Sequence, residues 1–200
     1  MFPFLKKIFD CIFPPSAETI LIESLTQSDV KQLFQIQVKD ITSLSRFDDA
    51  RIRALVHEAK FHGNKKSFEF LGKLFEKYFS TSSQHFDFII PVPLSSKRLR
   101  TRGYNQVLEI VKNSSLPKES LLVTDILLRI RDTKPQTEFK REKRLTNLHD
   151  AFGVVEGERL NGKHILIVDD VSTTGTTLHT AKNTLLPYSP ASITCIALAH

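Results

Sequence analysis

The stretch from His164 to Thr177, HILIVDDVSTTGTT, constrains the fold more than any other part of the chain. Ile165, Leu166, Ile167 and Val168 form a continuous apolar run, the pattern of a strand buried on both faces of a parallel sheet. Asp169 and Asp170 follow at its end. A hydroxyl-rich turn, Ser172-Thr173-Thr174-Gly175-Thr176-Thr177, then runs into a helical pattern at Leu178. A strand, a small-residue turn and a helix start together make an anion site. The first N–H groups of a helix lack internal acceptors, and the helix dipole favours negative charge there. Gly175 supplies the backbone freedom that close approach to a phosphate needs.

The two carboxylates narrow the kind of phosphate. Repulsion keeps them from gripping the phosphate itself. They accept well from a vicinal diol, and charge-assisted hydrogen bonds are the stronger class. The segment therefore reads as a sugar-phosphate site, with the phosphate on residues Ser172, Thr173, Thr174, Gly175, Thr176 and Thr177 and ribose hydroxyls on Asp169 and Asp170. No Lys follows the Gly, so this is not a Walker A loop, and the chain has no G-x-G-x-x-G dinucleotide fingerprint. The competing reading is an ordinary βα turn with an acidic strand end. The apolar strand, double acid and Thr-Thr-Gly-Thr-Thr falling in register speak against it.

Two hundred residues suit one medium domain with an appendage. No apolar run approaches the roughly 20 residues of a membrane span. The N-terminal MFPFLKKIFDCIFPPS is broken by Lys6, Lys7 and Asp10, so it does not read as a signal peptide. Its Phe2, Leu5, Ile8, Phe9 and Ile12 fit one face of a short helix packed on the body. The two cysteines, Cys11 and Cys195, make neither a disulfide framework nor a metal cluster and fit a reducing, cytoplasmic location. The seven histidines show no ligand spacing, so no metal ligand is assigned among them. A net charge of +6 favours anionic partners, phosphates or nucleic acid.

Strand and helix patterns alternate along the chain. Residues 17–46 alternate weakly: ETILIESL and LFQIQV read as two strands of a small hairpin. Asp49 to Phe79 is helical with a break at Gly63-Asn64, FDFIIPVP is a strand, and Tyr104 to Lys112 is helix. LLVTDILLRI reads as a strand, 137–148 as polar and helical or mobile, and Phe152 to Val155 as a short strand. Strand 164–168, helix 175–186 and strand 192–198 complete the order. The expectation is α/β: a parallel sheet with helices on both faces, its site at the carboxyl ends of the strands. The domain spans 51–200, with a small N-terminal extension over 1–50.

VDDVSTTGTT resembles the 5-phosphoribosyl-1-pyrophosphate (PRPP) signature of type I phosphoribosyltransferases. Three further blocks, LVHEAKFHG (55–63), IIPVPLSSKRLRTRGYNQ (89–106) and RIRDTKPQTEFKREKRLTNLHDAF (129–152), make the chain similar to the ComF/GntX-like branch, the competence-protein family. The resemblance implies a type I phosphoribosyltransferase fold and Mg²⁺-dependent transfer of phosphoribosyl from PRPP to an acceptor the sequence does not specify. It places Ser95, Ser96, Lys97 and Arg98 at the pyrophosphate. It assigns Lys60, Arg100, Arg102, Asn105, Gln106, Arg129, Arg131, Gln136, Arg144 and Asn147 to acceptor contacts or to a lid, against the plainer reading of solvated charged faces. It also implies DNA uptake during competence, with single-stranded DNA and a helicase-like protein as partners. On this view the chain is a transferase or a non-catalytic PRPP- or DNA-binding module. Family members often carry a zinc ribbon of two Cys-x-x-Cys pairs after a Phe-Pro. Here Phe13-Pro14-Pro15 is followed by no cysteine through Ser24, so a four-thiolate zinc site is not expected.

Overall fold

The computed structural model describes residues 16–38, 41–115, 120–130 and 151–200. Its helices are α1 (Ala17–Ser24), α2 (Gln27–Leu33), α3 (Ala50–Phe61), α4 (Lys65–Thr81), α5 (Ser96–Arg102), α6 (Gln106–Lys112) and α7 (Thr176–Leu185). The strands are β1 (Gln37–Val38), β2 (Thr42–Ser43), β3 (Phe88–Pro91), β4 (Leu121–Leu122), β5 (Leu127–Arg129), β6 (Phe152–Val154), β7 (His164–Val171) and β8 (Ser192–Ala199). The main sheet runs β1-β2-β8-β7-β3-β4, and β5 pairs with β6 in a separate antiparallel ribbon. Only the β1–β2 pair of the main sheet is antiparallel among the described residues.

The apolar run 165–168 lies in the middle of the sheet. β7 pairs with β3 from Phe88↔Ile165 to Pro91↔Val168, and with β8 from His164↔Ser192 to Val171↔Ala199. Its side chains alternate between two cores, as strand geometry requires. Leu166 and Val168 pack with Leu55, Leu71, Phe75 and Ile110 of α3, α4 and α6, while Ile165 and Ile167 pack with Leu178, Ala181 and Leu185 of α7. All four β7 residues are fully buried, each contributing about 1.5–3 kcal/mol. A one-residue slip would exchange the two cores, so the register of everything downstream on β7 is fixed.

The 17–33 region differs from the expected hairpin: it forms two helices, α1 and α2. The Ser16 hydroxyl accepts the Thr19 N–H at 3.1 Å and starts α1, and Thr26 with Asp29 makes a capping box for α2. Ile22 and Leu25 are buried while Ile20 is exposed, the face of a helix and not of a strand. The hairpin is confined to β1–β2, and β2 pairs in parallel with β8, so part of the segment placed in the extension joins the domain's sheet. LLVTDILLRI is two short strands, β4 and β5, in different sheets. The helix expected over 2–12 and the 137–148 segment lie outside the described residues.

Candidate functional site

β7 runs on through Asp169, Asp170 and Val171, three residues beyond its expected end. It then turns through Ser172–Gly175 into α7. Gly175 takes φ +74, a left-handed conformation that favours glycine. The first intrahelical bond of α7 is His179 N–H to the Gly175 carbonyl, 2.9 Å, and no side chain caps the helix. Among the described residues the amides of Thr173 to Leu178 find no acceptor. The turn is held from behind: Ser172 N–H donates to Ala199 at 2.9 Å, and His200 Nδ1 lies 2.6 Å from the Ser172 carbonyl. The Thr174 and Thr176 hydroxyls meet at 2.7 Å, leaving further donor and acceptor capacity over the recess. Asp169, Val171 and the whole run Ser172–Leu178 line that recess.

Because the strand continues, its alternation continues, and the two acids part. Asp169 lies on the α7 side and forms a wall of the recess. Asp170 lies on the α3/α6 side, 6% exposed. Its Oδ1 accepts the Val171 N–H at 2.7 Å, and its Oδ2 accepts from Gln106 Nε2 at 2.7 Å and Lys60 Nζ at 3.0 Å. The expectation of two acids side by side on one ribose is thus replaced by one acid at the recess and one engaged behind it. Desolvation first, and the neighbouring Asp170 charge second, push the Asp169 carboxyl up to about 7. Lys60 and Arg129 oppose that shift.

Around Asp170 the separated blocks meet. Lys60 comes from the last turn of α3. Gln106 opens α6 and receives a hydrogen bond from Arg102, whose guanidinium lies 5.5 Å from the centre of the Phe61 ring. Burial lowers the Arg102 pKa from its ordinary value, and the Asp170 charge opposes this. Tyr104 Oη donates to the Ala59 carbonyl at 2.9 Å, and its ring meets Phe68 edge-on. Asn105 is occupied structurally: Oδ1 caps Val107 N–H at 3.0 Å, and Nδ2 donates to the Val92 carbonyl at 2.9 Å.

The expected pyrophosphate loop is, in its second half, helix α5. Ser95 is buried, and its hydroxyl caps that helix at the Arg98 N–H, 3.3 Å, instead of lying open to a ligand. Ser96, Lys97 and Arg100 are exposed, and Arg98 is half-buried. The segment leaves β3 beside the acids, since Val92 N–H donates to the Val168 carbonyl at 2.8 Å. Arg129 ends β5 with its guanidinium 5.3 Å from the Phe152 ring centre. Arg131, Gln136, Arg144 and Asn147 lie outside the described residues. A second cavity opens on the other side of the turn, lined by Gln37, Ile41, Ser43, Ser172–Gly175, His179 and His200. Apart from Ser172–Gly175, which belong to the motif already described, its residues come from β1, from β2 and the residue before it, from α7 and from the end of β8, and no local motif announced them.

The phosphoribosyl transferase domain family matches residues 59–200. Competence protein ComFC of Bacillus subtilis is 30% identical over 135 residues, 66% of this chain and 52% of that protein. Competence protein F of Haemophilus influenzae is 35% identical over 92 residues, 46% and 40% of the two chains. The DNA utilization protein YhgH of Salmonella typhimurium is 31% identical over 144 residues, 70% and 63%. The chain thus spans between two fifths and two thirds of the length of these relatives. The domain match takes in Lys60, the β3–α6 segment and the cradle alike. The chain belongs to the phosphoribosyl transferase domain family, in its ComF-like branch.

Proposed function

We propose that this chain binds PRPP and transfers its phosphoribosyl group to an acceptor nucleophile. The observation that carries the reading is the cradle: unpaired amides at the start of α7, with Asp169 on the same wall. The 5-phosphate sits on the amides and the Ser172–Thr177 hydroxyls, and the ribose hydroxyls donate to Asp169. Asp170 fixes the strand end through Lys60 and Gln106. Lys97 and Arg98, one strand over, face the pyrophosphate, and the planar Arg fork suits two of its oxygens.

The acceptor's lone pair forms a bond to C1 of the ribose as the C1–O bond to pyrophosphate breaks and its electron pair leaves with the pyrophosphate. Charge develops positive at C1 and negative on the leaving group. The chain's work is positioning and charge stabilisation, with no covalent enzyme intermediate. A partly buried carboxylate and a row of hydroxyls at the cleft suit Mg²⁺, a hard ion that favours oxygen and keeps several waters. Asp169 and the loop hydroxyls would hold it, and the ion would supply positive charge to neutralise the leaving pyrophosphate.

Incubating the chain with PRPP and Mg²⁺ and a panel of nucleobases, and measuring pyrophosphate, tests the reading. Release above the protein-free rate with one acceptor supports transfer. PRPP binding in calorimetry without release supports a binding module, and the absence of both release and binding refutes both readings. A single-stranded DNA module is favoured by one feature: Phe61, 59% exposed, carries Arg102 over its ring beside exposed Lys97 and Arg100. The relatives' competence and DNA utilization names fit a DNA-handling role; DNA uptake in the cytoplasm beside a helicase-like partner is what the family resemblance adds to this reading. DNA affinity falling steeply with salt, and falling further in Phe61→Ala, would support single-stranded DNA binding at this ring. Among the described residues no helix is long and apolar enough to cross a membrane.

A further inference from the structure

The histidines assigned to no metal include two that the fold brings to one carboxylate. His57, Glu58 and His62, on the last turn and C-cap of α3, place one ligand atom each within 4.8 Å of one another. From this cluster we infer a binding site for a divalent transition-metal ion of the Zn²⁺ class, separate from the phosphoribosyl site and independent of the function proposed above.

The cluster is built around a buried charge. The Glu58 side chain is only 5% exposed, yet among the described residues its one ion-pair partner is the His62 ring, Nδ1 to Oε1 at 3.1 Å. Its remaining contacts are neutral: Asn64 Nδ2 at 3.3 Å and the Ser16 hydroxyl at 3.5 Å. A carboxylate taken out of water needs a compensating charge, and a divalent cation supplies it better than a half-exposed imidazole. Both imidazoles stand at the mouth, about half exposed, where an ion can enter. Glu18 of α1 lies 2.6 Å from His57 Nδ1 and orients that ring as carboxylates orient metal-bound histidines.

Two imidazoles and a carboxylate form a donor set for zinc-class ions and not for Mg²⁺ or Ca²⁺, which take oxygen. Ligand atoms around zinc stand about 3.4 Å apart for bonds of about 2.1 Å, so the present spread of up to 4.8 Å has to close by about 1.4 Å or less. The ion would fix the His57 ring and, through its Glu18 contact, hold α1 to the end of α3. The next residues of α3, Lys60 and Phe61, reach Asp170 and Arg102, so the clip would also stiffen one wall of the phosphoribosyl site.

The test is a titration of the whole chain carrying Cys11→Ser with Zn²⁺ against a chromophoric chelator, and with Co²⁺ followed by its visible spectrum. The expected result is one ion per chain, a Co²⁺ spectrum without thiolate charge transfer, and a melting temperature that rises with Zn²⁺. His57→Asn/His62→Asn should lose the ion and the thermal shift while keeping its metal-free helical signal, and Glu18→Gln should weaken binding about tenfold or more. His85→Asn/His164→Asn, a second imidazole pair with rings 6.2 Å apart, should leave binding unchanged. Equal binding by the parent and His57→Asn/His62→Asn, or loss of binding in the His85/His164 variant instead, overturns the site.

Discussion

Lys60 Nζ stands 3.0 Å from Asp170 Oδ2 and joins the end of α3 to the end of β7, across 110 positions of sequence. The Asp170 side chain is 8% exposed and the Lys60 side chain 28%, so the pair is only partly screened by water. Removing one partner leaves the other without its counter-charge, which costs about 3–5 kcal/mol for a fully buried pair. With Lys60 partly solvated, Lys60→Met and Asp170→Asn should each destabilise by about 1–3 kcal/mol. The double variant should cost clearly less than the two singles added, because neither charge is then left alone. Urea unfolding of all four proteins checks this, and additive costs would mean that the ion pair contributes nothing.

Asp169 makes stability depend on pH in an unusual direction. Its folded carboxyl titrates near 7 against 3.8 for the free side chain, raised by desolvation and by Asp170. Between those values the unfolded chain gives up a proton that the folded chain keeps, so stability falls as pH rises through the window. Above it the full penalty remains. Asp169→Asn should therefore flatten this part of the profile and be the more stable protein at pH 8, as thermal unfolding from pH 4 to 8.5 will show. The same variant should bind PRPP about ten- to a hundredfold more weakly, since a hydrogen bond to a charged group is worth about 1.5–3 kcal/mol. Affinity of the parent should rise as pH rises through 7, because only the ionised carboxylate accepts from both hydroxyls. A less stable Asp169→Asn at pH 8, or a flat affinity profile, would contradict the placement.

The cradle was legible because every part of it is local: an apolar strand, a Gly turn and a helix start within fourteen residues. The parting of the acids follows from the same period of two, but reading it required knowing that β7 runs to Val171 and not to Val168. β8 extends it, pairing Asp169↔Ala197 and Val171↔Ala199, and no signal within β7 itself says so. ETILIESL was misread for the opposite reason. Its β-branched residues imitate a strand, while the helix is set by the Ser16 cap and by burial of Ile22 against elements far along the chain. Lys60, Gln106 and Asp170 were each visible in a motif. That Lys60 and Gln106 converge on Asp170 is a property of how α3 and α6 pack against β7, which no single motif carries.

Tyr104 should prove a fastener and not a ligand. Its hydroxyl donates to the Ala59 carbonyl, one residue before Lys60, and its ring packs on Phe68 and over Gly63, which takes φ +62. Tyr104→Phe keeps the ring and loses one hydrogen bond, a cost of about 0.5–1.5 kcal/mol. Tyr104→Ala loses the packing as well and should cost about 3–5 kcal/mol. In calorimetry Tyr104→Phe should bind PRPP within about threefold of the parent, a factor worth well under 1 kcal/mol. A loss of a hundredfold would instead place the hydroxyl on the ligand.

Gly175 is the position where cradle and scaffold conflict most directly. A Cβ there would lie 2.5 Å from Ile41 Cδ1 and 3.0 Å from the His179 ring, on a backbone at φ +74. The left-handed conformation alone costs a side chain about 1–2 kcal/mol. Ile41 can swing away, but it then leaves the wall of the second cavity, which shares Ser172–Gly175 with the cradle. Gly175→Ala should therefore destabilise by about 1–3 kcal/mol and weaken ribose 5-phosphate binding more than it weakens the fold, because the turn that presents Thr174 and Thr176 must move. Combining it with Ile41→Ala separates the two causes. The steric part disappears in the double variant and the conformational part remains, so the two costs should fall short of additivity by more than the roughly 0.5 kcal/mol expected of independent sites. Strict additivity in urea unfolding would remove Ile41 from the account. Unchanged ribose 5-phosphate affinity in Gly175→Ala would remove the turn itself from the phosphate site.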